Sequence, residues 1–210
     1  MTCCPPSASD PADPSSADAP DAQPREIGFA VDLDLPLRRL DGGALDLRRH
    51  LAAQIETGAR ALAVVFWSAH CAHCQRYDAW LAARRRDEPD LALLLIAARE
   101  GETDAVVGGA GRRRAIDASL GRDDDGRVAR AWGVAQTPKA FLLDARGRAV
   151  YRGAIDNFTY ADDPDHRPYL LDALADLRAG RRVARPETAA FGCAVRSVYY
   201  AQPDPLGPAT

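Results

Sequence analysis

Two uninterrupted apolar runs do most to restrict the fold. Residues 61–67 read Ala-Leu-Ala-Val-Val-Phe-Trp between Gly58 and Ser68, and residues 91–98 read Leu-Ala-Leu-Leu-Leu-Ile-Ala-Ala. Both are strand-sized, far short of the roughly 20 apolar residues that a bilayer-spanning helix needs. A strand with no polar alternation has no face to offer water, so each is predicted to lie inside a sheet covered on both sides. Between them, residues 71–86 (CAHCQRYDAWLAARRR) place Tyr77, Trp80 and Leu81 on one face of a helix that Pro89 ends. Strand, helix and strand in that order predict a parallel pair with a right-handed crossover.

The flanking chain fills in the rest. Phe29–Leu35 alternates like a strand, Asp41-Gly42-Gly43 reads as a turn, and Ala44–Leu47 as a short returning strand. Arg48–Ile55 has helical spacing, residues 100–114 are Gly-rich and basic with at most a loose helix, and Val128–Trp132 makes a helical turn or two. Lys139–Leu143 and Arg148–Ala154 flank the turn Ala145-Arg146-Gly147 as a hairpin, and Tyr169–Leu177 forms a last amphipathic helix stopped by Gly180. The predicted order is β-β-α-β-α-β-α-β-β-α, with no internal repeat. Residues 1–26 are rich in Pro, Ala, Ser and Asp, without Leu, Ile, Val or an aromatic residue, and are expected to be a disordered leader. Residues 27–182 form the domain, and 183–210 a C-terminal tail ordered in part.

Composition narrows the partners. A net charge of -3 over 210 residues gives no electrostatic reason to expect nucleic acid or an anionic membrane. The arginine runs at Arg84–Arg86 and Arg112–Arg114 read as solvated faces. No transmembrane stretch and no signal-peptide pattern appears, so a cytoplasmic monomer is expected. If the start lies upstream, Cys3 and Cys4 read as the remnant of a lipid-attachment site, and the protein as exported or anchored. Five cysteines (Cys3, Cys4, Cys71, Cys74, Cys193) are too few for a disulfide scaffold of this length, so their role is chemical.

Cys71 and Cys74 lie three apart at a predicted helix start, where both side chains occupy one turn and can close a disulfide. Free N–H groups and the positive helix end there stabilise a thiolate, lowering a cysteine pKa from about 8.5 to roughly 3.5–7.5 in such motifs. Cys71 is expected as the exposed nucleophile, Cys74 as the buried resolving thiol, and His73 as a donor to the Cys71 thiolate.

The segment Val64-Val65-Phe66-Trp67-Ser68-Ala69-His70-Cys71-Ala72-His73-Cys74 resembles the active-site strand and helix of the thioredoxin superfamily. Val134-Ala135-Gln136-Thr137-Pro138, with the strand Lys139–Asp144, resembles that family's cis-proline loop, and Asp144–Arg148 its hairpin turn. Across residues 27–180 the layout is similar to the redoxin branch, related to alkyl hydroperoxide reductases and thiol reductases. Tyr151–Asp156 and the tail around Pro186-Glu187-Thr188 and Phe191-Gly192-Cys193 look like a bacterial subgroup of that branch. The resemblance implies a three-layer α/β thioredoxin-like sandwich, its central mixed sheet parallel at the core with an antiparallel C-terminal hairpin. It implies a cis Pro138, with Thr137, Pro138 and Trp67 contacting an extended substrate backbone. It also implies thiol–disulfide exchange with protein dithiols or disulfides, needing no cofactor beyond the Cys71–Cys74 pair. Two departures stand out. Val65 takes the place of a buried aspartate that deprotonates the resolving thiol. The Ala-His pair between the cysteines resembles the Pro-His of oxidising members, which raises the reduction potential and leaves the direction of electron flow open.

Other readings compete. His70 and His73 beside two thiols suit zinc or copper, but the remaining histidines, His50 and His166, read as solvated. For a peroxidase, Ser68 fits one required position while Val64 stands where a proline belongs. Cys193 is either a third redox thiol or a small apolar residue packed beside Phe191. Asp123–Gly126 lacks calcium-loop spacing and reads as a turn, and Gly108–Gly111 as flexible loop.

Overall fold

The two apolar runs lie side by side, as expected. In a computed structural model that describes residues 29–116, 118–159 and 162–196, they are β4 (Ala61–Trp67) and β5 (Leu91–Ala97), paired in parallel from Ala61↔Leu91 to Trp67↔Ala97. The leader with Cys3 and Cys4, and the tail beyond Arg196, fall outside the described residues. The other elements are β1 (Phe29–Ala30), β2 (Leu37–Arg39), β3 (Ala44–Leu45), α1 (Leu47–Glu56), α2 (Ala72–Gln75) and α3 (Asp78–Asp87). They continue with α4 (Asp104–Arg113), β6 (Ser119–Arg122), α5 (Arg127–Ala131), β7 (Gln136–Thr137), β8 (Lys139–Leu143), β9 (Arg148–Gly153), α6 (Tyr169–Arg178) and β10 (Cys193–Ala194).

The main sheet has the order β1-β9-β8-β4-β5-β6-β2-β3, parallel through β4, β5 and β6 and antiparallel on either side. Its strands alternate between two cores. Ala61, Ala63, Val65 and Trp67 face a layer built with α2, α3, α4 and α6, while Leu62, Val64 and Phe66 face α1 and α5. Every residue of β4 and β5 is buried, as strands covered on both faces must be. This is the predicted three-layer α/β sandwich with a thioredoxin-like fold.

Four local expectations change. The first hairpin is built from β2 rather than from 29–35, because Pro36 lacks the N–H a ladder needs and interrupts the alternating run. Residues 71–86 are two helices rather than one. The break at Arg76 and Tyr77 coincides with side-chain tethers, from Arg76 to the Thr159 carbonyl and from the Tyr77 hydroxyl to Asp156. The Gly-rich stretch is a full helix, N-capped by Thr103, with Asp104 in its first turn and Arg112 and Arg113 in its last, a charge order that suits the helix dipole. Its glycines allow close packing on the sheet: a Cβ at Gly111 would lie 2.9 Å from Leu120 Cδ1. Finally, β6 adds a third parallel strand that Ser-Leu-Gly-Arg does not advertise. The Asp123–Gly126 turn serves α5, since Asp123 accepts from the Val128 and Ala129 amides.

Candidate active site

Three segments converge at the carboxyl end of β4. The strand ends in Trp67, Ser68–His70 forms a short loop, and Cys71 stands as the N-terminal cap of α2. Opposite it, β7 delivers Thr137 and Pro138, whose peptide bond is cis. The third segment is the end of the described chain. β10 pairs antiparallel with β7, setting Cys193 against Thr137 and Ala194 against Gln136.

Cys71 lies at the centre. Its thiol donates to the Thr137 carbonyl at 3.1 Å, and the Cys74 and Cys193 thiols lie beside it. In the thiolate form these two thiols donate, Cys74 foremost, and the Cys193 and Cys74 amides add to them. Together they outweigh burial and hold the Cys71 pKa well below that of an ordinary thiol. Cys74 moves the other way, raised by its own burial first and by the neighbouring Cys71 second. Cys193 is raised as well, by burial and by its bond to Cys71. All three are free thiols. The two thiols are thus pushed in opposite directions, Cys71 down and Cys74 up.

Several expected details are corrected. Cys71 is not exposed: its accessibility is 0%, because the 190–195 segment lies over it. Thr137 and Trp67 are likewise at 0%, so neither offers a surface to a partner in this state; Trp67 is the floor of the site, with the Arg114 guanidinium 5.5 Å from its ring centre. The His73 ring packs against Phe158 at 5.3 Å and is not among the groups that bond the Cys71 sulfur. Its backbone amide faces Cys193 instead. Val65 is buried between Leu95 and Ala140, so the position of the missing aspartate is apolar throughout. Cys193 packs at the edge of the core beside Cys71, while Phe191 is 69% exposed. His166 is half-buried, with Nε2 3.4 Å from Asp156 Oδ2, and burial lowers the pKa of His50.

Sequence reasoning missed the polar groups beneath the loop. Glu102, 5% exposed, accepts from the Ser68 hydroxyl at 2.7 Å and the His70 amide at 3.0 Å, and its Oε1 lies 3.3 Å from His70 Nδ1. Arg114 donates to the Ala69 carbonyl at 2.8 Å and pairs with Asp78 at 3.2 Å. Burial raises the Asp78 pKa, which the Arg114 charge only partly offsets. These groups fix the loop that carries the cysteines, and no motif marks them. Beside Pro138, a cavity of about 170 Å³ is lined by Tyr77, Ile155, Phe158 and Phe191. Among the described residues, no group of three or more His, Cys, Asp and Glu is placed to hold a metal ion, and no helix is long and apolar enough to cross a membrane.

No protein-family model and no curated protein matches the chain. Solved structures do. A hypothetical protein from Sinorhizobium meliloti 1021 superposes with a TM-score of 0.69 at 25% identity, over 80% of this chain and 93% of that one. An uncharacterized conserved protein from Geobacillus kaustophilus gives 0.67 at 19% identity, over 83% and 94%. A secreted disulfide oxidoreductase from Mycobacterium tuberculosis gives 0.48 at 15% identity, over 70% and 96%.

Proposed function

We propose that this thioredoxin-fold protein is a thiol–disulfide oxidoreductase in which Cys71 and Cys74 form the redox pair. The observation that carries the reading is the placement of two thiols three residues apart. Cys71 caps the start of α2 with its thiol 3.1 Å from the Thr137 carbonyl beside the cis Pro138, and Cys74 lies fully buried behind it. In this arrangement hydrogen bonds lower the Cys71 pKa and burial raises that of Cys74. A low-pKa attacking thiol beside a protonated resolving thiol is what exchange requires.

The Cys71 thiolate attacks one sulfur of a partner disulfide, and the other partner sulfur leaves as a thiolate and takes a proton. Cys74 then loses its proton and attacks Cys71, freeing the second partner thiol and leaving a Cys71–Cys74 disulfide. Two electrons pass to the partner; run in reverse, the same steps oxidise a partner dithiol. The pair itself is the redox centre, and no further cofactor enters the steps. With Val65 in the apolar wall, the proton of Cys74 has to leave through water or the partner, which makes resolution the slow step.

Insulin-disulfide reduction tests this directly. Cys71→Ser is expected to abolish it, and Cys74→Ser to accumulate mixed disulfides; activity that survives Cys71→Ser removes the mechanism. Equilibration against glutathione or dithiothreitol fixes the direction: a potential near about −270 mV marks a reductant, and one near about −120 mV an oxidant.

A further inference from the structure

The last described strand occupies the place that the proposed reaction reserves for a partner. An extended partner chain offering a disulfide to Cys71 would pair with the backbone at Thr137, and β10 already does so, in antiparallel register. The pairing is built along the whole segment. The Val195 amide donates to the Ala135 carbonyl at 3.0 Å, the Glu100 amide to the Val195 carbonyl at 2.9 Å, and the Thr137 hydroxyl to the Cys193 carbonyl at 3.5 Å. The Gln136 side chain holds the Ala190 carbonyl. Upstream, Thr188 fastens the segment to β9, its amide donating to Arg152 and its hydroxyl accepting from the Ala154 amide. The residue laid over Cys71 by this strand is a cysteine.

We propose that residues 190–195 are a tethered partner strand and that Cys193 is a third redox thiol, exchanging with the Cys71–Cys74 disulfide to form a Cys71–Cys193 disulfide. This rests on the oxidoreductase reading and specifies its first partner as the chain's own tail. The step balances without an outside oxidant. Cys193 loses its proton and attacks the Cys71 sulfur, the Cys71–Cys74 bond breaks, and Cys74 leaves with the electron pair and takes up a proton. No net oxidation occurs; the disulfide moves from a buried site to one at the rim, where an incoming dithiol reaches it.

The geometry also defines what can replace the tail. A Cβ added at Gly192 would lie 1.7 Å from the Thr137 carbonyl oxygen and 2.5 Å from its carbon, so the strand fits only with glycine before the cysteine. A foreign partner seated in the same register meets the same wall, which favours Gly-Cys segments or chains that sit further out.

The test uses full-length Cys74→Ser, reduced, then treated with oxidised glutathione, quenched with alkylating agent and mapped by peptide mass spectrometry. Glutathione should add to Cys71 and then be displaced by Cys193, giving a Cys71–Cys193 linked peptide as the main product. Glutathione left on Cys71 with no link to Cys193 overturns the tethered strand while the oxidoreductase reading stands. An inert Cys71 overturns both. Gly192→Ala in the Cys74→Ser background should cut the link several-fold and retain glutathione on Cys71; undiminished linkage there shows that β10 pairing does not deliver Cys193, and the proposal falls.

Discussion

The two faces of β4 are built on opposite principles. On one, Phe66 meets Trp132 at 5.8 Å and Phe141 at 5.9 Å, and those two meet each other at 5.0 Å, all at steep angles that suit aromatic pairs. Leu47, Leu51 and Val128 close that side, where apolar packing predominates and the polar groups are paired, the Trp132 indole with the Asp32 carbonyl and Asp123 with the Val128 and Ala129 amides. The other face begins with Ala61, Ala63 and Val65 but ends against polar groups: the partly buried pair Arg114 and Asp78, and the buried Glu102 with Ser68. Some of that polarity is only partly satisfied, since Arg114 Nη1 and Glu102 Oε2 are buried with no hydrogen-bond partner. Buried polar atoms of this kind cost stability. The first face therefore holds the sheet, and the second holds the cysteine loop at some expense to it.

The sharpest way to break that division is Phe66→Ala. Removing a fully buried ring from the aromatic cluster should lower the unfolding free energy by about 3–5 kcal/mol in denaturant titration. The pH profile of Cys71 alkylation should stay where it is; a shifted profile would mean that the two faces are coupled. Glu102→Ala comes next, at about 1–3 kcal/mol, because the Ser68 hydroxyl and His70 amide lose their acceptor. Glu102→Gln keeps an acceptor and should recover most of the loss, and equal destabilisation by both would show that the charge matters rather than the bond.

Cys193→Ala addresses the site itself. It removes one donor to the Cys71 thiolate, so the alkylation midpoint should rise by about one pH unit or less, the equivalent of one hydrogen bond. An unchanged midpoint would leave the Cys74 thiol and the two backbone amides as the whole cause. The smallest effect belongs to Asp78. Its folded pKa is raised above 3.8, so the folded state holds that proton more tightly than the unfolded one. The corresponding stability is full below 3.8 and is lost as pH rises through the folded value. Asp78→Asn should therefore make unfolding free energy climb more steeply with pH across the acid range, and a curve parallel to the parent's would exclude the linkage.

What could be read in advance follows from the range of the interactions. The apolar runs, the hairpin turn at Ala145–Gly147, the cysteine spacing and Thr137-Pro138 are local patterns, and the structure keeps them. The helix at 104–113 is obscured because Gly108, Gly109 and Gly111 lower its propensity, and the reason for Gly111, its close approach to Leu120, is visible only in the fold. Glu102 and Arg114 carry no motif, since their partners come from the loop at 68–70 and from α3. Cys193 is legible only as a third redox thiol or a small packed residue, because its place over Cys71 depends on a chain return that no local pattern records. The exposure expected for Cys71 failed for the same reason.

The sheet's order carries one more consequence. Among the described residues, the strand at the β3 edge is two residues long, so the sheet ends there in a very short row of unpaired backbone groups. A neighbouring copy finds little template there on which to add a strand, and the long apolar strands that would aggregate most readily are kept in the interior of the order. Resistance to edge-to-edge association at the β3 edge is thus set by the shortness of the strand that falls there.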